Sequence, residues 1–122
     1  MTAHSMSADE KKAIHAEFDR LVNMTPARLK AWLDSDKSRS VGMTAGGDKV
    51  TGSSQPESVG HHMGERILAI RGTKRDALTD QDFADMRKVV GYIHRHSAQR
   101  PKGDIKDTRW RKSLMNWGHD PA

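Results

Sequence analysis

Apolar residues recur at intervals of three and four along most of this chain, which is the spacing that places them on one face of an α-helix. In the first such segment, Ile14, Phe18, Leu21 and Val22 fall at positions i, i+4, i+7 and i+8. No segment shows the strict alternation of apolar and polar residues that is typical of a half-buried strand. The pattern therefore predicts an all-α fold.

Capping residues and helix breakers divide this pattern into five predicted helices. Ser7 and Glu10 form a capping box before the first helix, and Pro26 suits the first turn of the second. Gly72 and Gly118 are placed to end the third and the fifth helix. The predicted helices cover residues 8–22, 26–35, 58–71, 80–98 and a short segment that follows Asp107 or Thr108 and carries Trp110, Leu114 and Trp117.

Residues 36–57 interrupt the helical pattern, because they are rich in Gly and Ser and have no periodicity. A loop of ~20 residues inside a compact domain is usually either functional or disordered. Residues 1–7, which precede the first predicted helix, are expected to form a disordered tail. With 122 residues in total, we predict one domain over residues 8–121, a small helical bundle with a flexible loop at 36–57.

Glycines interrupt two of the predicted helices at positions where alanine would be better by about 1 kcal/mol. Gly60 and Gly64 lie about one turn apart in the third helix, which favours close approach of another backbone, a packed helix more than a ligand. In the fourth helix, Gly91 lies between Lys88 and Arg95 on the face opposite the apolar stripe. That glycine would let a phosphate backbone or a second helix come near, or it is simply a tolerated surface residue.

Positive charge is concentrated in the second half of the chain. The net charge is +5, and hydrophobic residues make up 34% of the sequence, below the roughly 45–50% of typical soluble domains, so the core should be small. Residues 1–60 contain eight Lys/Arg and eight Asp/Glu, whereas residues 61–122 contain thirteen and eight. This asymmetry favours a nucleic-acid or acidic-surface partner. A charged, solvated surface is the simpler alternative.

The densest basic region extends from Arg87 to Lys112, with nine Lys/Arg against two Asp. Basic residues on a helical frame with interleaved aromatics indicate a phosphate-bearing partner. No base-reading motif is visible, so we expect salt-sensitive contact with the backbone of DNA and little sequence specificity. Trp32, Trp110 and Trp117 fall on apolar helix faces, which favours core packing over base stacking. The candidate nucleic-acid-binding residues are Lys88, Arg95, Arg100, Lys102, Arg109, Arg111 and Lys112.

Catalytic and metal-binding patterns are weak in this sequence. The chain has no cysteine, which excludes disulfides, thiolate zinc sites and cysteine nucleophiles. His94 and His96 diverge by about 160° on a helix and cannot share a metal there. A cryptic site that combines His61 or His62 with one of that pair and His119 is a third hypothesis. No nucleophile elbow and no phosphate-binding loop is present, so we predict a protein that is not an enzyme and needs no metal or cofactor.

Several short segments are distinctive, and together they extend over about residues 10–121. Through them the chain resembles a family of small bacterial and fungal proteins of uncharacterised function, some of which are labelled DNA-binding protein. The resemblance implies no catalytic residue, and it favours DNA as the partner. The segments are Met24-Thr-Pro26, Trp32-Leu33, Ser40-Val-Gly42, Ser58-Val-Gly-His61, Lys88-Val-Val-Gly-Tyr-Ile-His-Arg-His96, Gln99-Arg-Pro101 and Thr108-Arg-Trp-Arg-Lys-Ser-Leu-Met-Asn-Trp-Gly-His-Asp-Pro121.

These observations lead to one expected function and a main alternative. We expect a DNA-associated protein because of the basic second half of the chain. We expect it in the cytoplasm, since the N-terminus lacks a secretion signal and no apolar run approaches the ~20 residues of a membrane span. The alternative is a helical protein-interaction or dimerisation module that binds no nucleic acid. Its glycine-bearing helix faces would then dock a partner helix or a second copy of the chain.

Overall fold

The structure, a computed structural model, describes residues 6–39, 41 and 59–121. Those residues form a small helical domain without strands, so the prediction of an all-α fold is confirmed. Among these residues, one 3₁₀ turn, Arg75–Ala77, lies between the helices Val59–Arg71 and Asp80–Ser97. The α-helices are α1 (Ala8–Leu21), α2 (Pro26–Leu33), α3 (Asp36–Arg39), α4 (Val59–Arg71), α5 (Asp80–Ser97) and α6 (Arg109–Asn116).

The five predicted helices correspond to α1, α2, α4, α5 and α6. The short helix α3 was not predicted, and its position corrects the start of the predicted loop at 36–57. In α3 the Ser38 side chain is fully buried, and Val41 beyond it is 1% exposed. The rest of the predicted loop, residues 40 and 42–58, lies outside the described residues, as do residues 1–5 of the predicted tail.

Hydroxyl side chains begin four of the helices, because each satisfies a backbone N–H that the first turn leaves without a partner. Ser7 accepts a hydrogen bond from the third residue of α1, and Thr79 does the same for α5, both within capping boxes. Thr25 precedes Pro26 at the start of α2. Of the two residues expected to cap α6, Thr108 does so, through a 3.2 Å bond from the Arg111 N–H.

The core lies where α1 and α4 meet α5, and α6 packs against both α4 and α5. Phe18 of α1, Ile67 of α4, Met86 and Ile93 of α5, and Leu114 of α6 are each at most 1% exposed. Apolar residues from all of these helices form one continuous cluster. Burial of this cluster is the main driving force for assembly of the helices, since each helix alone has a face that water would otherwise cover.

Close helix packing explains the glycines of α4. A Cβ added at Gly64 would lie 2.5 Å from the Asn116 carbonyl oxygen and 2.6 Å from a methyl group of Leu33. A Cβ at Gly60 would lie 2.8 Å from the Trp117 indole nitrogen. The predicted approach of a second backbone is therefore present, and the backbone belongs to α6.

The last residues of the chain turn back onto α1. Gly118 has φ +76°, the left-handed conformation that commonly ends a helix. The His119 N–H bonds the Leu114 carbonyl at 3.1 Å and the Gly118 N–H bonds that of Met115 at 3.0 Å, the pattern of a Schellman motif. Gly118 ends α6 as the sequence predicts, and the residues after it are directed towards the end of α1.

Candidate functional site

A cavity of about 710 Å³ opens between the start of α4, the second half of α5 and α6. Val59 and Gly60 contribute the α4 side. The described residues that line the cavity include three cations and several aromatic rings, and no Asp or Glu. We call this feature the α4–α5–α6 cavity.

One face of α5 forms the longest wall of the cavity. Lys88, Tyr92, Arg95 and His96 all line it, at positions i, i+4, i+7 and i+8, and Gln99 follows directly after the helix. These positions lie on one side of a helix with 3.6 residues per turn. Because the apolar stripe of α5 occupies the opposite side, burial of the core necessarily turns this polar and aromatic face towards the cavity.

Helix α6 supplies the second wall, and a pair of reciprocal hydrogen bonds holds it against α5. The Trp110 indole N–H donates to the His96 carbonyl oxygen at 2.7 Å, and His96 Nε2 donates to the Trp110 carbonyl at 3.2 Å. Arg109, Ser113 and Trp117 line the cavity on either side of Trp110. The ends of both helices are thus fixed relative to one another at the site.

Four aromatic rings from the two walls are stacked in series. Trp117 stacks on Tyr92 with a centroid separation of 4.1 Å and an angle of 12° between the ring planes. Tyr92 is 5.2 Å from His96, and His96 is 6.0 Å from Trp110, again with nearly parallel planes. The Arg100 guanidinium lies 5.6 Å from the centroid of Trp110. We call Trp117, Tyr92, His96 and Trp110 the ring stack.

The two larger centroid separations, Tyr92 to His96 and His96 to Trp110, mean that the ring stack is stepped, with successive rings displaced sideways. Nearly parallel rings that touch at ordinary van der Waals distance and have centroids more than 5 Å apart must be displaced sideways. Tyr92, His96 and Trp110 are only half-buried. Part of each ring is therefore left uncovered by its neighbours where the stack borders the cavity.

Burial disfavours the charged forms of two rings of the stack, His96 and Tyr92. Desolvation lowers the pKa of His96, against the opposing effect of its bond to the Trp110 carbonyl. Desolvation also raises the pKa of Tyr92, although the positive charge of Arg95 and a hydrogen bond with Ser113 act in the opposite direction. The charge of the cavity therefore comes mainly from its Lys and Arg residues.

Four of the seven predicted phosphate-binding residues lie in or beside the cavity. Lys88, Arg95 and Arg109 line it, and Arg100 borders it through its contact with Trp110. These four residues are all exposed. Lys102 is exposed in the turn before Gly103, and Lys112 is half-buried on α6, but neither lines the cavity.

Arg111, the seventh of the predicted residues, has a different role. Its guanidinium bonds both carboxylate oxygens of Asp120, at 3.0 and 3.1 Å, and the Lys106 carbonyl at 3.1 Å. Asp120 is 6% exposed and also pairs with Arg28 of α2. The Arg111–Asp120 pair therefore joins α6 to the residues that follow it, and the Arg28–Asp120 pair joins those residues to α2, so Arg111 has a structural role and is not part of the candidate site.

Polar pairs on the other sides of α5 fix its rotation. Arg66 of α4 bonds Asp82 at 2.6 Å and Asp85 at 2.9 Å. Three further pairs join α5 to α1, and two of them link a Glu of α1 to a side chain of α5 that does not line the cavity. Those pairs are Lys11–Asp80 at 3.0 Å, Arg87–Glu10 at 3.4 Å and His94–Glu17 at 3.1 Å.

The histidines of the hypothetical metal site contact separate partners. His61 Nε2 bonds the Leu33 carbonyl at 2.7 Å, and His119 Nδ1 bonds the Leu21 carbonyl at 2.7 Å. His96 bonds Trp110, and His94 contacts Glu17. In the part of the chain that the structure describes, no group of three or more His, Cys, Asp or Glu could hold a metal ion.

Asn116 lines the cavity, but its side chain bonds residues of α2 and α3. Its Oδ1 accepts hydrogen bonds from the Trp32 indole N–H, at 2.8 Å, and from the Ser38 hydroxyl. Its Nδ2 donates to the Ser38 carbonyl at 3.1 Å. The residue is 1% exposed, and it joins α2, α3 and α6. This network explains why a helical turn forms at Ser38, where the sequence shows no periodicity.

Sequence reasoning identified the cations of this face of α5 but not the rings beside them. Tyr92 lies four residues after Lys88, and His96 four residues later again. The same helical periodicity that grouped Lys88 with Arg95 could have found both rings. Nothing in the local sequence marks Ser113, because its place in the cavity depends on how α6 packs against α5.

The fold and the cavity together define a small helical protein with a cavity that is lined by cations and aromatic rings. A family model with the description Protein of unknown function (DUF3140) matches residues 17–115. The chain belongs to this family, which confirms the expected membership of an uncharacterised family. Neither the curated proteins nor the solved structures contain a match. No helix among the described residues has the length and apolar character needed to cross a membrane.

Proposed function

We propose that the protein binds DNA through phosphate groups at the rim of the α4–α5–α6 cavity, with little sequence specificity and without a catalytic step. One observation carries this proposal: Lys88, Arg95 and Arg109 line a single concave surface, and no carboxylate is among its described lining residues. Arg100 lies directly beside that surface. Such a protein would meet DNA in the cytoplasm, which is where we expect it.

The start of α6 is a favourable place for an anion, which supports the same proposal. The N-terminus of a helix carries a partial positive charge, so cations in its first turn are unfavourable by a few tenths of a kcal/mol or more. The first turn of α6 contains Arg109 and Arg111 and no acidic residue. Asp120 offsets the charge of Arg111. A phosphate at the cavity rim would be attracted by Arg109 and by the N-terminus of α6, because helix N-termini and guanidinium groups both stabilise anions.

The alternative of a protein-docking module has less support. The glycine face of α4 is occupied by α6 and Leu33 within the chain itself, so a partner helix has no access to it. On α5, a Cβ added at Gly91 would lie 3.0 Å from the Arg95 guanidinium. The Arg95 side chain, which lines the cavity, thus also covers Gly91.

A salt titration with a labelled random-sequence duplex tests the proposal. For each phosphate that a cation contacts, the slope of log K against log [salt] changes by about 0.9. The triple variant Lys88→Gln/Arg95→Gln/Arg109→Gln should therefore flatten the slope by about 2 to 3.

The control variant removes the same charge elsewhere. Lys12→Gln, Lys30→Gln and Lys74→Gln together change three exposed lysines that do not line the cavity. This variant should keep the wild-type slope to within about one unit. Equal losses in the two triple variants would show that net charge alone attracts DNA. No binding by the wild type at low salt would eliminate the proposed function.

A further inference from the structure

We infer that the α4–α5–α6 cavity takes an unpaired base, so that the protein prefers single-stranded to duplex DNA. This inference rests on the proposed contact of phosphates with the cations of the same site. It adds the class of nucleic acid and names the part of it that enters the protein.

The shape of the site goes beyond what phosphate binding requires. Phosphates of a duplex can be bound by cations on a flat or convex surface, and no space is needed behind them. Here Lys88, Arg95 and Arg109 line a cavity of about 710 Å³, a volume within the range of small-ligand sites. The bases of a duplex are stacked inside it and cannot enter such a cavity without being unpaired, which costs a few kcal/mol. A single strand can present a base without that cost.

The walls of the cavity are suited to a flat aromatic group. Tyr92, His96 and Trp110 all line the cavity and are half-buried, and the wide spacing of their centroids means that neighbouring rings overlap only in part. Bases bind such rings with little regard to sequence, because every base has an aromatic face. Burial lowers the pKa of His96 and so disfavours its charged form, and the other cations that line the cavity are Lys and Arg side chains. The site thus combines cations for a phosphate with an aromatic wall for a base.

Few polar groups in the cavity are left to read the edge of a base. The Asn116 amide is engaged by Trp32 and Ser38. The Ser113 hydroxyl interacts with Tyr92, and Gln99 is exposed after the end of α5. A site with so few fixed donors and acceptors should accept any of the four bases, in agreement with the low sequence specificity of the proposed function.

Three probes of equal length separate this inference from simple phosphate binding. One is a mixed-sequence single strand, the second is a strand of abasic residues with the same number of phosphates, and the third is the duplex. Binding at low salt is followed by fluorescence anisotropy and by the tryptophan emission of the protein, because Trp110 and Trp117 line the cavity.

We expect the base-containing strand to bind about tenfold or more tightly than the abasic strand, as one stacked base provides. It should also bind more tightly than the duplex, and it alone should change the tryptophan emission strongly. In the Ser113→Leu variant, which narrows the cavity, the ratio between the base-containing and abasic strands should fall towards one. The Lys12→Gln variant, on α1 and outside the cavity, should keep the wild-type ratio.

The outcomes are distinct for the two proposals. Equal binding of the base-containing and abasic strands, or tighter binding of the duplex, would overturn the inference and leave the proposed function in place. No binding of any probe at low salt would overturn both. Because the comparison of probes uses the wild-type protein, its result does not depend on the folding of a variant.

Discussion

Replacement of Gly64 by alanine tests whether close packing of α6 on α4 defines this fold. A Cβ at this position would lie 2.5 Å from the Asn116 carbonyl oxygen and 2.6 and 2.9 Å from the two methyl groups of Leu33. The carbonyl belongs to the backbone of α6, so it cannot move away alone. The added Cβ therefore requires both a shift of α6 and repacking of Leu33, and the shift of α6 also disturbs the bonds of Asn116.

The expected magnitude follows from two opposing effects. Alanine in place of glycine inside a helix stabilises it by about 1 kcal/mol, while overpacking of a close-packed core costs about 1–3 kcal/mol. Because the added carbon contacts both a backbone atom and a core side chain, we take the upper end of that range. The Gly64→Ala variant should therefore lose about 2 kcal/mol of the free energy of unfolding.

Gly91→Ala is the matched control in α5. A Cβ at Gly91 would meet only the Arg95 guanidinium, at 3.0 Å, and the end of a long exposed side chain moves aside at little cost. This variant should gain up to about 1 kcal/mol, close to the full helical preference of alanine. The two Gly→Ala variants should thus differ by about 2–3 kcal/mol.

Urea denaturation followed by circular dichroism measures this difference. With a slope of about 2 kcal/mol per M, the midpoint of Gly64→Ala should fall by about 1 M relative to the wild type, with the slope unchanged. A Gly64→Ala protein as stable as the wild type would refute the close approach of α6 to α4. A destabilised Gly91→Ala protein would show that Gly91 is confined by more than the movable side chain of Arg95.

Three further predictions concern the end of the chain, the pH dependence and a helix cap. Asp120→Ala should cost about 3 kcal/mol in urea denaturation, because it leaves the mostly buried Arg111 guanidinium without its carboxylate; a loss below about 0.5 kcal/mol, as for an exposed residue, would contradict that role. Since burial holds the pKa of His96 below its ordinary value of 6.5, the unfolded chain takes up this proton first, and stability should fall as the pH drops below about 6.5. The His96→Gln variant, which can still donate to the Trp110 carbonyl, should lose less stability between about pH 7.5 and pH 5. A dependence of stability on pH identical to that of the wild type would count against a lowered pKa of His96. Thr79→Ala should cost about 1 kcal/mol in thermal or urea denaturation through loss of the α5 cap, and an unchanged midpoint would mean that the capping box contributes nothing.

Local signals in the sequence determined most of the fold. The bounds of α1 and α5 are within one residue of their predicted ends, because Ser7 and Thr79 satisfy the first turns by contacts within three residues. The short helix α3 has no such signal. Ser38 is held by Asn116, 78 positions further along the chain, and a contact of that kind cannot be read from a local pattern.

The candidate site was predicted only in part, for a similar reason. Helical periodicity placed Lys88 and Arg95 on one face, and that prediction depends on the geometry of α5 alone. The role of Arg111 depends on Asp120, which reaches it because the left-handed turn at Gly118 reverses the chain. The density of positive charge along the sequence does not show which cations are paired within the fold, so it could not distinguish Arg111 from the residues that line the cavity.

The contacts that close the fold also determine the order in which it can form. The Asn116, His119 and Asp120 side chains bond residues 78 to 98 positions earlier, and pairings of such high sequence separation are slow to form. We expect α4 and α5 to associate early and α6 to dock last. The cavity then exists only after docking, so a ligand that contacts both α5 and α6 would stabilise the completed fold and slow its opening.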